Sequence, residues 1–448
     1  MQTTRRSAGV LAAFAAPCVP LAALGLPLVV YLPEYYANEL GLGLATVGAI
    51  FTWVRLVDVV FDPVIGAVMD RTRTRFGRFK PWLAIGGPLL FLSTLMLFFA
   101  QPGVSSLRLW IWLPMSYAAY SICVLSQTAW GSLLSEDYNQ RSRVYGWWQS
   151  LNMVGILLAL LLAALPLLAP AIAEAGRSAS VQAMGWFILV TTPLCFGLAL
   201  WKAPEPAAPV AIHATSWRDY AGLFANAAVR RIVGVDLLIG IALGIIAALF
   251  FFFFERVKGM SQAITGVLLL LYFVSALAFA PLWAHLARKL DKHRATALAA
   301  AATGLAQVAV LLCPPNNILA TAAVIVLAGV PYSAAALLLR AMMADAGDEL
   351  RLKTGVDRTG LLYALVACTT KFGSALAVGI TFPLLSAAGF HARGDGDPSQ
   401  GLQMLTVLYI AAPVVLCALA TIMMLGYRLG PQRHGEILAA LEARNANG

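Results

Sequence analysis

Charged residues are scarce in this 448-residue chain: Asp, Glu, Lys and Arg together make up 12% of it, whereas hydrophobic residues make up 60%. Soluble domains carry about 25% charged residues. The composition therefore excludes an ordinary soluble domain. It indicates a protein built from membrane-spanning helices, each of which needs about 20 mostly apolar residues.

Several catalytic and metal-binding motifs are also missing. The sequence has no GxxxxGK[ST] loop, which excludes an ATP-driven pump of that kind. Its six cysteines show no CxxC spacing, so they indicate neither a disulfide framework nor a metal site. There is no Ser–His–Asp arrangement either. We therefore expect no enzymatic activity and no cofactor other than a coupling ion.

The apolar runs predict an all-α polytopic membrane protein with twelve transmembrane helices. When the N-terminus is placed in the cytoplasm, most of the 31 Lys and Arg residues fall in loops on that side. This asymmetry predicts that both termini are cytoplasmic and that the protein lies in the inner (plasma) membrane. The net charge of +10 then faces lipid head groups, and we expect no nucleic acid partner. The predicted spans are residues 8–33, 44–69, 82–100, 107–134, 144–168, 182–201, 231–254, 263–287, 295–313, 318–343, 360–386 and 404–427.

One long connection separates the first six spans from the last six. Residues 202–230 are rich in Pro, Ala and charge, which predicts a cytoplasmic linker between a bundle at 1–201 and a bundle at 231–427. Residues 428–448 are then a cytoplasmic tail. Two six-helix bundles are the layout of major facilitator transporters, which bind their substrate between the halves. We expect such a chain to act as a monomer.

Two acidic residues lie four positions apart in the second span. Asp58 and Asp62 fall on one helix face, although an ionisable group at membrane depth costs about 2.5–3.5 kcal/mol. Paired carboxylates can ligate Na⁺ or Li⁺ or share a proton, so the coupling ion stays open. Arg55 lies on the same side and compensates their charge. The alternative is a permanently paired cluster that only fixes helix packing.

The loop after the second span, GAVMDRTRTRFGRFKPW, resembles the Gly-x-x-x-Asp-Arg motif of the major facilitator superfamily. Gly66, Asp70 and Arg71 are in register with that motif. A short basic loop with an acid at the helix end can form charge pairs that hold one conformational state, which predicts a gating role. A loop that only sets topology would explain the arginines equally well.

A closer resemblance begins in the same region. The run VRLVDVVFDPVIGAVMDRTRTRFGRFKPW resembles the helix-two signature of the glycoside–pentoside–hexuronide:cation symporters. AWGSLLSEDYNQRSRVYGW, ADAGDELRLKTGVDRTGLLYAL and TKFGSALAVG resemble further stretches of that family, in family order. The resemblance implies that Asp58 and Asp62 form the cation site, and that they ligate the metal ion if Na⁺ is coupled. It also implies that Lys371, in the eleventh span, neutralises them when no cation is bound.

The substrate positions depart from the family. Where its sugar-binding members hold charged ligands, this chain has Ala22, Ser126 and Trp148. Trp130 matches the family's stacking tryptophan, and helix packing is the alternative role for such a residue. The other polar candidates for binding the solute are Ser126, Gln127, Thr128, Gln149 and Asn152.

These features predict a secondary active transporter that couples a small organic solute, glycoside-like by the resemblance, to Na⁺ or H⁺ through alternating access. The alternative is a transporter of an amphiphile such as a lysophospholipid, since the sugar-binding charges are missing and Phe250 to Phe254 enrich the seventh span. A further acid, Asp236, lies in the same span. We expect it to pair with Arg231.

Overall fold

The computed structural model describes residues 7–72, 74–134, 138–164, 176–205, 222–354, 359–391, 399–427 and 429–446. Twelve helices in these ranges are long and apolar enough to cross a membrane, which confirms the predicted fold class and number of spans. α1 to α12 are Ala8–Asn38, Leu44–Gly66, Lys80–Phe98, Ser106–Gly131, Gly146–Ala163, Ser178–Lys202, Ala227–Val257, Gln262–Ala287, Lys292–Leu312, Ile318–Thr354, Leu361–Ala387 and Ser399–Leu425.

The tenth span was predicted to end at residue 343, but α10 continues to Thr354. The prediction stopped there because acidic residues follow the apolar run. Those acids have partners from other helices: the ammonium group of Lys292 donates to Asp345 at 2.6 Å, and the ring of His434 lies 3.0 Å from the carboxylate of Asp348. Pairing of this kind lets charged residues extend a helix beyond its apolar part.

The predicted C-terminal tail contains a helix, α13, at Pro431–Ala446. It packs against α10. Ile437 and Leu441 are buried in the same apolar cluster as Leu350 of α10. Most of the tail is therefore part of the packed structure rather than a free extension.

Close contacts divide the chain into two compact units. Unit 1 comprises Met1–His213, Ser261–Leu270 and Leu385–Asp397, and unit 2 comprises Ala214–Met260, Leu271–Leu384 and Pro398–Gly448. Two short stretches of the second half of the sequence thus group with unit 1. Residues 206–221 of the predicted linker lie outside the described residues, and the predicted domain boundaries stay predictions.

The same helix pairs recur in both units. α3 packs against α4 and α6 in unit 1, and α9 packs against α10 and α12 in unit 2. In the same way, α2 contacts α4, and α8 contacts α10. In each half of the chain the fourth of the six spans therefore lies against the second. In unit 1 this contact brings the acidic face of α2 against α4.

α1 and α5 approach each other closely at a glycine. A Cβ atom on Gly155 would overlap the carbonyl oxygen of Val19 and would also meet the Cβ of Ala22. Membrane helices use small residues to bring backbones together in this way. Gly146, on the same helix, has open space around the position of its missing Cβ.

We therefore predict that Gly155→Ala destabilises the protein by about 1–3 kcal/mol, the usual cost of overpacking. The matched control is Gly146→Ala, which we expect to leave stability unchanged or slightly raised. Thermal unfolding of the purified protein measures both. Equal melting temperatures for the two variants would contradict the close contact between α1 and α5.

Candidate functional site

The two sides of α2 differ in character. One side is apolar and exposed, as expected of a surface that faces lipid; it consists of Trp53, Val57, Val60, Val64 and Val68. Arg55 and Asp58, which lie away from this stripe, are 7% and 5% exposed. Asp62 is half-buried. Arg55 and Asp58 therefore point into unit 1.

Two successive turns of α2 make polar contacts with two successive turns of α4. The hydroxyl of Ser121 donates to Oδ1 of Asp58 at 2.9 Å. One turn away, Nε of Arg55 donates to the hydroxyl of Tyr117 at 3.1 Å, and the guanidinium lies 5.5 Å from the centre of the Tyr117 ring. The Tyr117 hydroxyl in turn donates to the backbone carbonyl of Leu28 at 3.4 Å. α1, α2 and α4 are thus joined through one polar network.

This network offers chemistry suited to a small cation. The Asp58 carboxylate and the Ser121 hydroxyl supply hard oxygen atoms that can ligate an alkali ion. The carboxylate can instead take up a proton. Ser121 and Tyr117 are not among the site residues predicted from the sequence. Their spacing of four residues in an apolar span was the available signal, because it places two hydroxyl groups on one face of α4.

Lys371 lies half-buried in α11 and belongs to unit 2. Asp58 and Asp62 belong to unit 1. The structure describes the two units separately, so the predicted coupling between the lysine and the carboxylates stays a prediction.

The predicted gating residues lie at the end of the helix that carries Asp58. Helical structure continues from α2 to Arg71, and Gly66 has open space around it. The side chains of Asp70 and Arg71 lie outside the described residues. Their proposed charge pairs stay predictions.

The loop that follows is held by a carboxylate from beyond the end of α6. Glu205 accepts hydrogen bonds from the backbone N–H groups of Arg78, Phe79 and Lys80 at 2.6, 2.7 and 2.9 Å. These groups lie at the start of α3, where N–H groups have no partner in their own helix and the helix dipole favours a negative charge. We call this contact the Glu205 cap.

The residue before the cap is a glycine for a geometric reason. Gly77 has a φ of 112°, a conformation that other residues adopt only under strain. A Cβ atom there would also overlap the carboxylate of Glu205. The turn therefore brings the backbone close enough for Glu205 to reach it.

Trp130, the predicted stacking residue, is fully enclosed next to this cap. Its exposed fraction is 0%, and its indole N–H donates to the carbonyl of Pro204 at 3.0 Å. The ring of Phe14 packs edge-on at 5.6 Å, and the ammonium of Lys80 lies 5.6 Å from the ring centre. These contacts are those of a packing residue. A stacking role stays a prediction, and it requires a state in which the ring is uncovered.

Two other candidates on α4 have partners within unit 1. The hydroxyl of Ser126 donates to the carbonyl of Cys123 in its own helix at 3.4 Å. The amide of Gln127 donates to the carbonyl of Phe14 at 3.0 Å, and its oxygen accepts from the thiol of Cys18. Both side chains are fully buried. In this structure Gln127 joins α4 to α1, Ser126 bonds within its own helix, and neither side chain faces an open site.

α5 carries the more accessible candidates. Gln149 is exposed and Asn152 is half-buried. Trp148 stands where sugar-binding members of the resembled family hold a charged ligand; its indole Nε1 is buried and has no hydrogen-bond partner in the described part of the chain. A buried N–H without a partner costs about 1–3 kcal/mol. Trp148 is therefore a candidate donor to a bound solute.

The phenylalanine-rich run of α7 packs inside unit 2. Phe250 to Phe254 are at most 2% exposed. The ring of Phe253 stacks on that of Tyr409 of α12, with centres 4.2 Å apart. In this structure the run forms core contacts and offers no open apolar surface.

Comparison with known proteins identifies the family and the fold. The family model described as MFS/sugar transport protein matches residues 13–430. The putative glycoside/cation symporter YagG of Escherichia coli (strain K12) is 24% identical, over 90% of this chain and 88% of its own. The sodium-dependent lysophosphatidylcholine symporter 1 of Gallus gallus is 22% identical, over 87% of this chain and 80% of its own.

The crystal structure of the nucleoside transporter NupG is similar in fold. It has a TM-score of 0.68, covers 94% of this chain and 100% of its own, and is 14% identical. At this identity the likeness concerns the fold alone.

A substitution on α4 tests the contact with Asp58. We predict that Ser121→Ala changes the effect of Na⁺ or of pH on thermal stability, because the variant loses both an oxygen that could ligate Na⁺ and a hydrogen bond to the charged form of Asp58, which contributes about 1.5–3 kcal/mol. That corresponds to a change of about tenfold or more in cation affinity. A titration of the melting temperature against Na⁺ at several pH values measures it.

The matched control is Ser116→Ala on the same helix. The Ser116 hydroxyl is buried and has no hydrogen-bond partner among the described residues, so its loss leaves the cation response unchanged. If Ser121→Ala behaves like this control, Ser121 does not support the cation site.

Proposed function

The chain belongs to the MFS/sugar transport family, and on this premise we propose that it is a secondary active transporter that moves a small organic solute together with Na⁺ or H⁺. The observation that carries the proposal is the buried charged face of α2. Asp58 is 5% exposed and held by Ser121 at 2.9 Å. Charges at such depth are kept at a cost, and in membrane proteins they mark ion pathways.

Cation binding to Asp58 and Asp62 supplies the coupling in this proposal. A bound cation neutralises the carboxylates, and the ammonium group of Lys371 neutralises them when the cation has left. Because the neutralising charge is a bound ion in one case and a side chain of unit 2 in the other, cation occupancy changes the relative free energy of the conformations between which the transporter alternates. Arg55, held by Tyr117 at 3.1 Å, keeps the local charge balanced throughout.

The membrane and the orientation that we propose for the chain follow from the charges of its loops. The basic loops favour an orientation in which both termini are cytoplasmic, in the inner membrane of the cell. We propose that one chain is sufficient for transport, with the solute and the coupling cation as its ligands.

The proposed solute is a small glycoside-like compound. A sugar needs several hydrogen-bonding groups beside an aromatic surface. Trp148, Gln149 and Asn152 on α5 offer an indole N–H and two amides in one short stretch. The printed name of YagG, a putative glycoside/cation symporter, supports the same class.

A lysophospholipid-like amphiphile is the second candidate. It is favoured by the lysophosphatidylcholine symporter among the relatives, and by Ala22 at a position where sugar-binding members of the resembled family hold a charge. The burial of Phe250 to Phe254 removes one argument for it, because that run is occupied by core packing.

The coupling carboxylates are tested by nearly isosteric neutral variants. We predict that Asp58→Asn and Asp62→Asn abolish the dependence of uptake on a Na⁺ or H⁺ gradient, because each removes a charge that the cation must neutralise. Uptake into proteoliposomes is measured with a panel of labelled glycosides and lysophosphatidylcholine, under imposed Na⁺ and pH gradients.

Glu436→Gln is the control, since its carboxylate is exposed and pairs with Arg433 in α13. It should transport like the wild type. Gradient-driven uptake retained in both aspartate variants would rule out Asp58 and Asp62 as the coupling site.

The solute site is tested on two adjacent tryptophans. Trp148→Phe removes the buried indole N–H but keeps an aromatic ring, and we predict an increase of about fivefold to tenfold in the KM for uptake, because one hydrogen bond to a neutral solute is worth about 1 kcal/mol. Trp147→Phe is the control with the neighbouring ring. Equal KM values for the two variants would remove Trp148 from the site.

A further inference from the structure

α7 carries a buried carboxylate that the proposed function does not use. Asp236 lies on the third turn of the helix and is 9% exposed. The expected ion pair with Arg231 is wrong, because no such pair forms among the described residues. The guanidinium of Arg231 instead lies against Gly426, beyond the end of α12. Asp236 turns away from it, toward α11.

The contact between α7 and α11 is close because both helices have glycine there. A Cβ atom on Gly373 of α11 would lie 3.1 Å from the backbone of Gly240 and Ile241 of α7. Asp236 is one turn before Gly240, and Thr370 is one turn before Gly373. The backbones therefore approach each other beside the carboxylate.

Thr370 makes the polar contact with Asp236. Its hydroxyl donates to Oδ2 of Asp236 at 3.4 Å, and the same hydroxyl also donates to the carbonyl of Val366 at 3.1 Å. One proton is thus shared between two acceptors. Within the described ranges no Lys or Arg nitrogen lies at ion-pair distance from Asp236, so the carboxylate receives little compensation for its burial.

The charged groups of the surrounding helices act from further away. Arg340 of α10 exerts an attraction on Asp236, but its side chain is exposed. Lys371 follows Thr370 in α11, and Arg230 and Arg231 lie at the start of α7. The part of α12 that packs on α7, Ala412–Leu425, contains no charged residue.

We propose that Asp236 is a proton-binding site of unit 2: its carboxyl group carries a proton while α7 and α11 are in contact, and releases it to water when the contact loosens. A carboxylate buried with one long, shared hydrogen bond is costly, and taking up a proton removes that cost. A metal cation would need about six oxygen ligands, whereas the described surroundings supply the carboxylate and one hydroxyl.

The proposal goes beyond the cation site at Asp58 and Asp62, which lies in unit 1. It assigns unit 2 its own dependence on pH, whether the cation bound by unit 1 is Na⁺ or H⁺. The exchange involves only Asp236 and water, because the O–H bond of the acid breaks and the proton leaves as hydronium.

Infrared spectroscopy of the purified protein during a pH titration tests the proposal. A protonated carboxylic acid has a C=O band that is separate from the bands of a carboxylate. We expect this band in the wild type at mildly acidic pH, above the range in which an exposed carboxyl group takes up its proton, its loss in Asp236→Asn, and its presence in the Asp58→Asn, Asp62→Asn double variant. The double variant separates this site from the proposed cation site.

A pair of neighbouring threonines provides the matched control. Thr370→Val removes the donor to Asp236 and should shift the C=O band to higher frequency. Thr369→Val should leave it in place, because the Thr369 hydroxyl donates to the carbonyl of Leu365 in its own helix. If Asp236→Asn fails to fold, this pair alone decides. The proposal is overturned if the band is unaffected by every change at Asp236 and Thr370, or if no band appears above the pH range in which exposed carboxyl groups take up a proton.

The melting temperature gives an independent result. The folded state holds the proton on the buried carboxyl group, whereas the unfolded chain has no such buried site. The folded state therefore binds more protons, and stability falls as the pH rises. We expect this decline in the wild type and a flatter profile in Asp236→Asn. The same slope in both proteins contradicts the site.

Discussion

The bilayer interior provides no water to solvate a charge, and the arrangement of this protein depends on that constraint. In α2 it is met by contacts between helices: Asp58 accepts a hydrogen bond from a hydroxyl of α4, and Arg55 donates one to another hydroxyl of the same helix. The lipid-facing side of α2 carries only apolar residues and so leaves the opposite side for charge. In α7 the constraint is met less completely, since Asp236 shares one hydroxyl proton with a backbone carbonyl.

The sequence was sufficient to predict what depends on one helix at a time. The twelve spans follow from the length and hydropathy of each run, and the common face of Asp58 and Asp62 follows from the helical repeat. The extension of α10 to Thr354 was missed because its acids depend on Lys292 and on His434, which come from other helices. A pattern within one segment carries no information about such partners.

The site is less predictable than the fold for the same reason. Ser121 and Tyr117 acquire their role only because α2 and α4 pack in one particular register. The sequence motif was sufficient to select Trp130 as a candidate residue. Its enclosure, however, depends on Pro204, which lies more than seventy positions along the chain. The expected pair of Asp236 with Arg231 assumed local contact along one helix, whereas Gly240 and Gly373 bring α11 closer.

The Glu205 cap has a consequence for the way in which the chain can vary. Glu205 recognises three backbone N–H groups and no side chain, so residues 78 to 80 can change without altering the contact. Only proline, which lacks the N–H group, is excluded there by this contact. Related sequences would therefore show no paired substitutions between Glu205 and its partners. A search for co-varying positions would overlook the contact, because the atoms that hold the carboxylate belong to the backbone.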